Sequence, residues 1–420
     1  MTTANPTTPD SADCAGVEEF RDRARRWLSD NLERKSIDDR STGDVSVFHD
    51  LDRDSEARLL EAAMAWQRLK FDAGFGAITW PSELGGAGLS SHHEQAFLEE
   101  EAAFQVPEGH EAFSITLNLV APTIGLLGTP DQQGRFVRRF LRTEELCCQL
   151  FSEPGAGSDL ASLSTAAARH GEDWVINGQK VWTSGAQFAR WGQLLARSDP
   201  DVPKHAGLTA FLVPMDAPGV EVRPIRQMAG GSSFNEVFFD NVRLTDDLRL
   251  GEIGDGWRVA LTTLGFERGN AKGTKRTGGN WEQLLALARR LDATADPLHR
   301  QRLADVYVNH RIADFLAQRI AASSRAGQPP GPEGSIRKLH WVGQLTRIAQ
   351  AASSVLGPRL MADSGQDGTY AWSAHVLGAP GYHVAGGTDE IQRNIVAERV
   401  LGLPPEPRVD RGVPWRDAPR

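Results

Sequence analysis

Apolar residues in the first third of the chain recur at the three- and four-residue spacing of an amphipathic helix. The residues that begin this pattern are Val17, Phe20, Ala24, Trp27 and Leu28. A second helix is predicted over about 55–73, and further helical sequence over about 92–142. A loop rich in glycine and proline, residues 80–88, separates these two regions. The first third is therefore expected to be mostly helical.

The pattern changes near Cys147, where short segments of β-branched and alternating residues begin, such as Leu208-Thr-Ala-Phe-Leu-Val. Glycine, proline and aspartate separate these segments as far as about Gly251, which predicts a compact antiparallel β domain. From Gly256 to about Leu401 the pattern is helical again. The predicted fold class is therefore α+β. It consists of a disordered arm (1–15), an N-terminal helical domain (16–146), a middle β domain (147–252), a C-terminal helical domain (253–403) and a tail (404–420).

Composition excludes several classes of protein. The 420 residues include 46 basic and 55 acidic side chains, a net charge of −9, so a general nucleic-acid-binding role is not expected. The most apolar stretch, 115–127, is interrupted by Asn118 and Pro122, and no membrane span is predicted. The N-terminus has neither the basic region nor the apolar core of a secretory signal. Three cysteines, two of them adjacent, form no disulfide framework, which favours a reducing cytoplasm.

Common site motifs are absent or incomplete. The sequence contains no GxxxxGK[ST] and no HExxH. His92-His93-Glu94 are adjacent residues that face different sides of a helix, so no metal site is predicted. The segment from Gly155 to Leu160 begins like a dinucleotide fingerprint but has leucine at the third glycine position. A Rossmann fold is therefore not expected.

Two segments of the β domain combine glycine with side chains that form hydrogen bonds. Residues 149–159 allow close approach of the backbone to a ligand, although a tight turn between domains explains them equally well. In residues 180–185, Trp182 precedes the hydroxyls of Thr183 and Ser184 at a strand end. This tryptophan either covers a flat aromatic cofactor or packs in the core.

The helix that begins at Gly256 is predicted to bury Trp257, Ala260, Leu261 and Leu264, with Glu267 at the end of this apolar face. A carboxylate directed into an apolar interior has a raised pKa, as a general base near neutral pH requires. The alternative is that Glu267 pairs with a distant arginine.

Residues 381–393 form a glycine loop that leads into a helix. Thr388 is a suitable N-cap, and Glu390 suits the positive end of the helix. The backbone N–H groups of Gly386 and Gly387 are suitable donors to an oxyanion. An ordinary capped helix remains the alternative.

Taken together and in this order, these segments resemble the acyl-CoA dehydrogenase family. The motifs that carry the resemblance are Trp80-Pro81…Gly85-Gly86, Phe151-Ser-Glu-Pro-Gly-Ala-Gly-Ser-Asp159, Asn177-Gly-Gln-Lys-Val-Trp-Thr-Ser184 and Gly387-Thr-Asp-Glu-Ile-Gln-Arg393. The resemblance covers about Val17 to Pro407. It implies a C-terminal four-helix bundle and FAD bound between this bundle and the β domain. The implied reaction removes the α-proton of an acyl-CoA thioester and transfers the β-hydride to flavin N5.

The resemblance also implies roles for individual residues. Trp182 would cover the isoalloxazine ring, with Thr183 and Ser184 at its N5 edge. Gly386 would donate its N–H to the thioester oxygen, and Gly387 would contact the substrate. The residues implied to contact the flavin, its pyrophosphate or the thioester are Gln149, Phe151, Ser152, Gly157, Ser158, Thr388 and Glu390, with Ser158 also implied on the substrate side.

Two departures from the family pattern affect these expectations. Most members have the catalytic glutamate immediately before the Gly-Thr of the C-terminal loop, where this chain has Gly386. A minority place it on the helix that opens the C-terminal domain, and Glu267-Arg268 falls at that position, so Glu267 is the expected base and Arg268 the residue that orders the site. The Arg-x-x-Phe-Gly segment through which a neighbouring subunit contacts FAD has no counterpart in 284–301.

These losses resemble bacterial members that act on steroid side chains and dicarboxylyl chains, some of which form two-chain assemblies. The resemblance therefore implies a homotetramer, or a heterotetramer with a homologous chain. An electron-transfer flavoprotein is the expected electron acceptor. The alternatives are an oxidase-like member that reacts with O₂ and a non-catalytic partner subunit.

Overall fold

The structure is a computed structural model that describes residues 11–35, 44–269, 277–325, 331–362 and 369–418. Side chains at 11–15, 267–269, 324–325 and 369 are outside the description. Along the chain, a group of helices is followed by one sheet and then by a second group of helices. The α+β prediction, with its order of helical, β and helical parts, is confirmed.

The described residues of the first part form seven α-helices, two of them extended by single π-helical segments at Thr116–Val120 and Gln133–Val137. The cap of α2 shows how local sequence sets a helix start, because the Asp52 side chain accepts a hydrogen bond from the backbone N–H of Ser55. The helices are α1 (Ser11–Asn31), α2 (Arg53–Asp72), α3 (Ser91–Glu101), α4 (Glu111–Ile115), α5 (Ala121–Leu127), α6 (Pro130–Gln132) and α7 (Arg138–Leu141).

The middle part is a mixed sheet, so the predicted antiparallel β domain is correct for most strand pairs but not for two parallel ones. Its strands are β1 (Cys147–Leu150), β2 (Ala166–His170), β3 (Asp173–Ser184), β4 (Trp191–Arg197), β5 (Leu208–Pro214), β6 (Val220–Ile225), β7 (Phe234–Leu244) and β8 (Arg249–Leu250). The strand order is β6-β7-β3-β2-β4-β5-β8, with β1 beside β4. Strands β1 and β2 pair with β4 in parallel, whereas the pairs β2–β3, β3–β7, β4–β5, β5–β8 and β6–β7 are antiparallel.

The last part is helical, with α11 at its centre. This helix contacts α8, α9, α10, α12, α13 and α14. The helices are α8 (Gly256–Gly269), α9 (Trp281–Arg290), α10 (Pro297–Arg325), α11 (Glu333–Leu356), α12 (Thr369–Gly378), α13 (Gly381–Val384) and α14 (Asp389–Ile395).

The largest hydrophobic core crosses the boundaries between these parts. It joins residues of the N-terminal helices, such as Phe136 and Phe140, to Leu194 and Phe211 of the sheet and to Val259 of α8. All five are at most 1% exposed. The N-terminal helices and the sheet therefore share one core, and α8 extends it into the C-terminal part.

Phe48, in the segment between α1 and α2, contacts both other parts of the chain. Its ring stacks on Tyr382, with centroids 5.2 Å apart, and meets Phe234 of β7 edge to face at 5.4 Å. It also belongs to a buried cluster with Leu345 and Ala349 of α11. Phe48 thus links the N-terminal segment, the sheet and the helices α11 and α13 at one point.

The sequence predicts a tail over residues 404–420. In the structure the indole N–H of Trp415 donates to the carbonyl of Ser162 at 3.2 Å, and Arg197 lies over the Trp415 ring. Lys204 pairs with both Asp410 and Asp159. The described end of the chain therefore packs against the β domain.

Within the described ranges, no helix combines the length and apolarity that crossing a membrane requires. The same ranges contain no group of three or more His, Cys, Asp or Glu side chains placed to hold a metal ion.

Removing the Phe48 ring should loosen the junction of the three parts. We expect Phe48→Ala to lower the free energy of unfolding by about 3–5 kcal/mol, because a buried aromatic side chain leaves a cavity. The measurement is urea unfolding followed by circular dichroism. The control is Leu126→Ala, whose side chain is 65% exposed and should cost less than about 0.5 kcal/mol. Equal urea concentrations at the unfolding midpoint of the two variants would contradict the role of Phe48 as a link between the three parts.

Candidate active site

The turn that contains Phe151 to Asp159 is attached to β3 by a buried ion pair. The Lys180 ammonium lies 2.8 Å from the Glu153 carboxylate and donates to the carbonyl of Phe151 at 3.0 Å. The backbone N–H of Val181 donates to the carbonyl of Ser152 at 2.9 Å. The two motifs identified in the β domain are therefore held side by side.

The Glu153 carboxylate has several donors besides Lys180, including the backbone N–H groups of Ser164 and Thr165. Burial alone would raise the pKa of Glu153, but the charge and the hydrogen bond of Lys180 lower it. Burial lowers the pKa of Lys180 to about 8, against the opposing effect of Glu153. Because the folded-state pKa of Glu153 lies below its ordinary 4.5, its stabilisation is present above that pH and is lost as the pH falls further.

Trp182 adopts a backbone conformation that is unusual for a residue other than glycine, with φ of 61°. The register between β3 and β7 shifts between Lys180 and Thr183, so the tryptophan lies at an irregularity in the strand. Its side chain is 60% exposed, which excludes the alternative of a core tryptophan. Strained backbone of this kind persists only where the surrounding structure enforces it, and it is common at ligand sites.

Three buried polar atoms in β1 and at the paired ends of β3 and β7 have no hydrogen-bond partner in the described part of the chain. They are the Nε2 atom of Gln149, in β1, the hydroxyl of Thr183, and the Oδ1 atom of Asn235, which pairs with Thr183 in the sheet. Buried polar groups are nearly always paired, so unpaired ones at a suspected site indicate a bound group.

The other residues implied by the resemblance in this region differ in exposure. Phe151 is buried, Ser184 lies at the end of β3, and Gly157 and Ser158 are exposed on the turn. The turn thus presents an accessible backbone beside the exposed Trp182.

The buried face of α8 differs from the predicted one. Val259, Ala260 and Thr263 are fully buried, whereas Leu261, predicted to be buried, is 42% exposed. Thr263 lies in a polar cluster, since its hydroxyl is 3.0 Å from that of Thr123 and accepts from Gln193 at 2.9 Å. Helix packing against β4 and β5 selects this face, which hydrophobicity alone did not identify.

Glu267 and Arg268 lie in the last turn of α8, and their side chains are outside the described residues. Position 267 is four residues after Thr263, so it lies one turn farther along the same buried face. Position 268 is rotated away from that face.

Gly386 and Gly387 both have left-handed backbone conformations, with φ of 65° and 82°. Their carbonyls are fixed from outside the loop, since Gln392 donates to that of Gly386 at 2.8 Å and Lys338 to that of Gly387 at 2.9 Å. Thr388 caps α14 by accepting from the backbone N–H of Ile391 at 3.3 Å.

Asp389, at the start of α14, restrains the loop further through contacts with two side chains. Asp389 contacts Lys338 at 3.2 Å and His383 at 2.6 Å. Burial would raise the pKa of Asp389, but the hydrogen bonds of His383 and Lys338 lower it. Glu390, implied as a cofactor contact, is exposed and pairs with Arg393 at 3.1 Å.

The structure brings the end of β3 and the C-terminal loop together through aromatic contacts. Trp182 lies 6.2 Å from Phe234, which contacts Phe48, and Phe48 stacks on Tyr382. A chain of ring contacts thus joins Trp182, at the end of β3, to α13, the helix that precedes the loop of Gly386.

Sequence reasoning missed one acidic residue at this region. It is Glu111, the first residue of α4, whose pKa is raised by desolvation against the opposing effects of the Ser184 hydroxyl and of His110. The sequence gives only a weak indication of this residue, because it is a single glutamate that precedes an apolar stretch. The structure adds that the start of α4 packs against the end of β3, since a Cβ on Gly185 would lie 2.5 Å from the Cβ of Ala112.

Family comparisons cover most of the chain. The acyl-CoA dehydrogenase N-terminal, middle and C-terminal domain families match residues 17–144, 148–242 and 254–401. Acyl-CoA dehydrogenase IpdE1 of Mycobacterium tuberculosis is 42% identical over 396 residues, which cover 93% of this chain and 98% of that protein.

Two solved structures are similar over nearly the whole chain. The Tcur3481-Tcur3483 steroid ACAD has a TM-score of 0.72 at 25% identity, covering 96% of this chain and 100% of that chain. The ChsE4-ChsE5 complex from Mycobacterium tuberculosis has a TM-score of 0.69 at 26% identity, covering 97% and 100%.

Breaking the buried pair between β3 and the turn should be costly. We expect Lys180→Met to lower the free energy of unfolding by about 3–5 kcal/mol, because Glu153 would remain buried without its cation. Urea unfolding at neutral pH measures the effect. The matched control is Arg223→Met, which breaks the exposed 2.8 Å pair with Glu221 on β6 and should change stability little. If Lys180→Met unfolds at as high a urea concentration as the control, the structural role of the pair is refuted.

Proposed function

Since this chain belongs to the acyl-CoA dehydrogenase family, whose members are FAD-binding enzymes of lipid metabolism, we propose that it dehydrogenates an acyl-CoA thioester between its α and β carbons, with Glu267 as the base. The observation that carries the site assignment is the exposed, left-handed Trp182 beside the unpaired Gln149 and Thr183.

The residues at the end of β3 fit FAD. The exposed indole of Trp182 offers a flat apolar surface to the isoalloxazine ring. The unpaired hydroxyl of Thr183 and the amide of Gln149 are suited to the polar edge of that ring. The accessible backbone at Gly157 and Ser158 suits the pyrophosphate or the thioester, and Thr388 and Glu390, at the start of α14, belong to the same proposed binding region. Bound FAD supplies the hydride acceptor.

The proton chemistry is assigned to the chain itself. Position 267 continues the face of α8 formed by Ala260 and Thr263, which supports Glu267 as the group that removes the α-proton. Negative charge then develops on the thioester oxygen, and the N–H of Gly386 is the proposed donor to it. Gly387 is proposed to contact the substrate, and Arg268 to order the site.

The proposed substrate class is a bulky, ring-bearing acyl group. One structurally similar protein is described as a steroid ACAD, and this chain shares its fold over nearly its full length. The loop supports the same class, because Gly386 presents no side chain where most family members place a glutamate. Room at this point favours large acyl groups.

The proposed assembly is a tetramer of this chain, alone or with a homologous chain. Helix α10 carries an exposed apolar stripe, with Val308, Ile312 and Phe315 all more than 40% exposed. A stripe of this kind marks a surface for another protein. The similar ChsE4-ChsE5 structure is described as a complex. An electron-transfer flavoprotein is the proposed electron acceptor.

Replacing the proposed base should separate flavin binding from turnover. We expect Glu267→Gln to retain the flavin spectrum and to lose about 10²–10⁴-fold in turnover, the usual contribution of a general base. Anaerobic bleaching of the flavin by excess thioester measures the step. Glu252→Gln, an exposed carboxylate with 87% of its side chain accessible, is the control and should behave like the wild type. Full turnover in Glu267→Gln would rule out this base.

The glycine at position 386 also favours a second candidate, a non-catalytic partner subunit. We expect the chain, purified alone or with a homologous chain, to contain flavin that thioester bleaches and an electron-transfer flavoprotein reoxidises. The measurements are the visible spectrum and the reoxidation rate with and without that acceptor. A protein that takes up no flavin in either form would support the partner-subunit function, and rapid reoxidation by air alone would support an oxidase.

A further inference from the structure

The C-terminal segment, residues 408–418, lies beyond the residues that the C-terminal domain family matches and is not used by the proposed reaction. It runs along the loop that joins β4 to β5. The backbone N–H groups of Trp415 and Arg416 donate to the carbonyls of Val202 at 2.9 Å and Pro200 at 3.1 Å. These backbone hydrogen bonds fix the place of the segment on the β domain.

The Trp415 side chain holds the turn that follows the motif Phe151 to Asp159. Its indole N–H donates to the carbonyl of Ser162 at 3.2 Å. Its ring lies 4.8 Å from the guanidinium of Arg197, which donates to the two flanking carbonyls, those of Ala161 and Leu163. Trp415 and the arginine that it covers therefore bind three consecutive carbonyls of this turn.

Lys204 connects the C-terminal segment to the part of the turn that contains Ser158. Its ammonium lies 2.8 Å from the carboxylate of Asp159, the residue after Ser158, and 2.5 Å from that of Asp410 in the segment. The Lys204 side chain is only 8% exposed, so little solvent screens these two pairs on the lysine side. The segment thus supplies one of the two carboxylates that hold this lysine beside the turn.

The opposite end of the same turn is held by another part of the molecule. Glu153 pairs with Lys180 of β3, two residues before Trp182. The end of the turn near Glu153 is therefore tied to the strand proposed to border the flavin. The end near Ser158 is tied to the C-terminal segment, so substitutions can loosen the two ends separately.

We propose that the C-terminal segment is a positioning element for the thioester, which acts through Trp415 and Asp410 by ordering Gly157 and Ser158 before the thioester binds. This inference rests on the proposed function, because that function assigns Ser158 to the substrate side. A loop that is already ordered binds its ligand more tightly, since the cost of ordering it is not charged against binding. The proposed base, Glu267, lies on α8 and outside the turn, so the segment affects binding of the thioester and not removal of its proton.

The first test separates KM from kcat on the flavin-saturated protein, in whichever assembly holds flavin. The probes are hexanoyl-CoA and the ring-bearing 3-cyclohexylpropanoyl-CoA. We expect Trp415→Ala to raise KM for a thioester by about 10- to 30-fold, because the freed turn must be ordered on binding. The kcat should stay within about twofold of the wild type, and the flavin spectrum should be retained.

Two milder variants grade the effect. Trp415→Phe keeps a ring over Arg197 but loses the indole N–H, so KM should rise by only about 2- to 5-fold, about the value of one hydrogen bond. Asp410→Asn removes one ion pair of Lys204 and should raise KM by a similar factor. The matched control is Val409→Ala, in the same segment with 83% of the side chain exposed, which should keep the wild-type KM.

The second test follows the turn itself by amide hydrogen exchange and mass spectrometry, on flavin-loaded protein without thioester. In Trp415→Ala, peptides that cover residues 157–163 should exchange about tenfold faster or more, because local opening becomes easier. Peptides that cover β3 should keep the wild-type rate. Equal acceleration in both regions would overturn the proposal, because it would show general destabilisation of the β domain.

The remaining outcomes separate this inference from the proposed function. Faster exchange in the turn with unchanged KM would overturn the inference and leave the proposed function in place. A lower kcat at unchanged KM would do the same, as would loss of flavin from Trp415→Ala with a wild-type KM at saturating FAD. If neither thioester bleaches the wild-type flavin, the proposed function fails, and the inference fails with it.

Discussion

The packing of Phe48 against Phe234 and Tyr382 is the interaction on which the candidate site depends. Each ring comes from a different part of the chain, and the proposed cofactor region lies where these parts meet. A site between domains keeps its geometry only if the domains cannot shift, and aromatic rings in buried contact resist such shifts. The shared core of the N-terminal helices, the sheet and α8 adds to this rigidity. The three parts therefore act as one unit.

The strain at Trp182 is explained by the same rigidity. A non-glycine residue in a left-handed conformation costs about 1–3 kcal/mol, and it persists only where its neighbours hold it. Lys180, two residues before it, is anchored by the buried carboxylate of Glu153. Gly185, three residues after it, is pressed against α4. The strand is thus fixed on both sides of the irregularity, and the strain keeps the indole directed into open space, where a flat ligand would be bound.

The sequence allowed prediction of the order of helical and β parts and of the motifs at the site, because both are local properties. Periodicity did not reveal which face of α8 is buried, since Leu261 is as apolar as its buried neighbours and only contact with the sheet distinguishes them. The docking of Trp415 against Arg197 and the close approach of Gly185 to Ala112 join residues far apart in the chain. Such contacts are set by tertiary packing, which local patterns do not encode.

The loop at Gly386 shows how the family's usual carboxylate can be absent while the loop keeps its form. The carbonyls of Gly386 and Gly387 are held by Gln392 and Lys338, and Asp389 holds Lys338 in turn. None of these contacts uses the side chain at position 386. A glycine at this position therefore removes the carboxylate without removing the restraints on the backbone. The N–H of Gly386, which is proposed to bind the thioester oxygen, keeps its orientation. The proposed base on α8 would require no other change in this loop, and the glycine leaves space there for the larger acyl group that we propose.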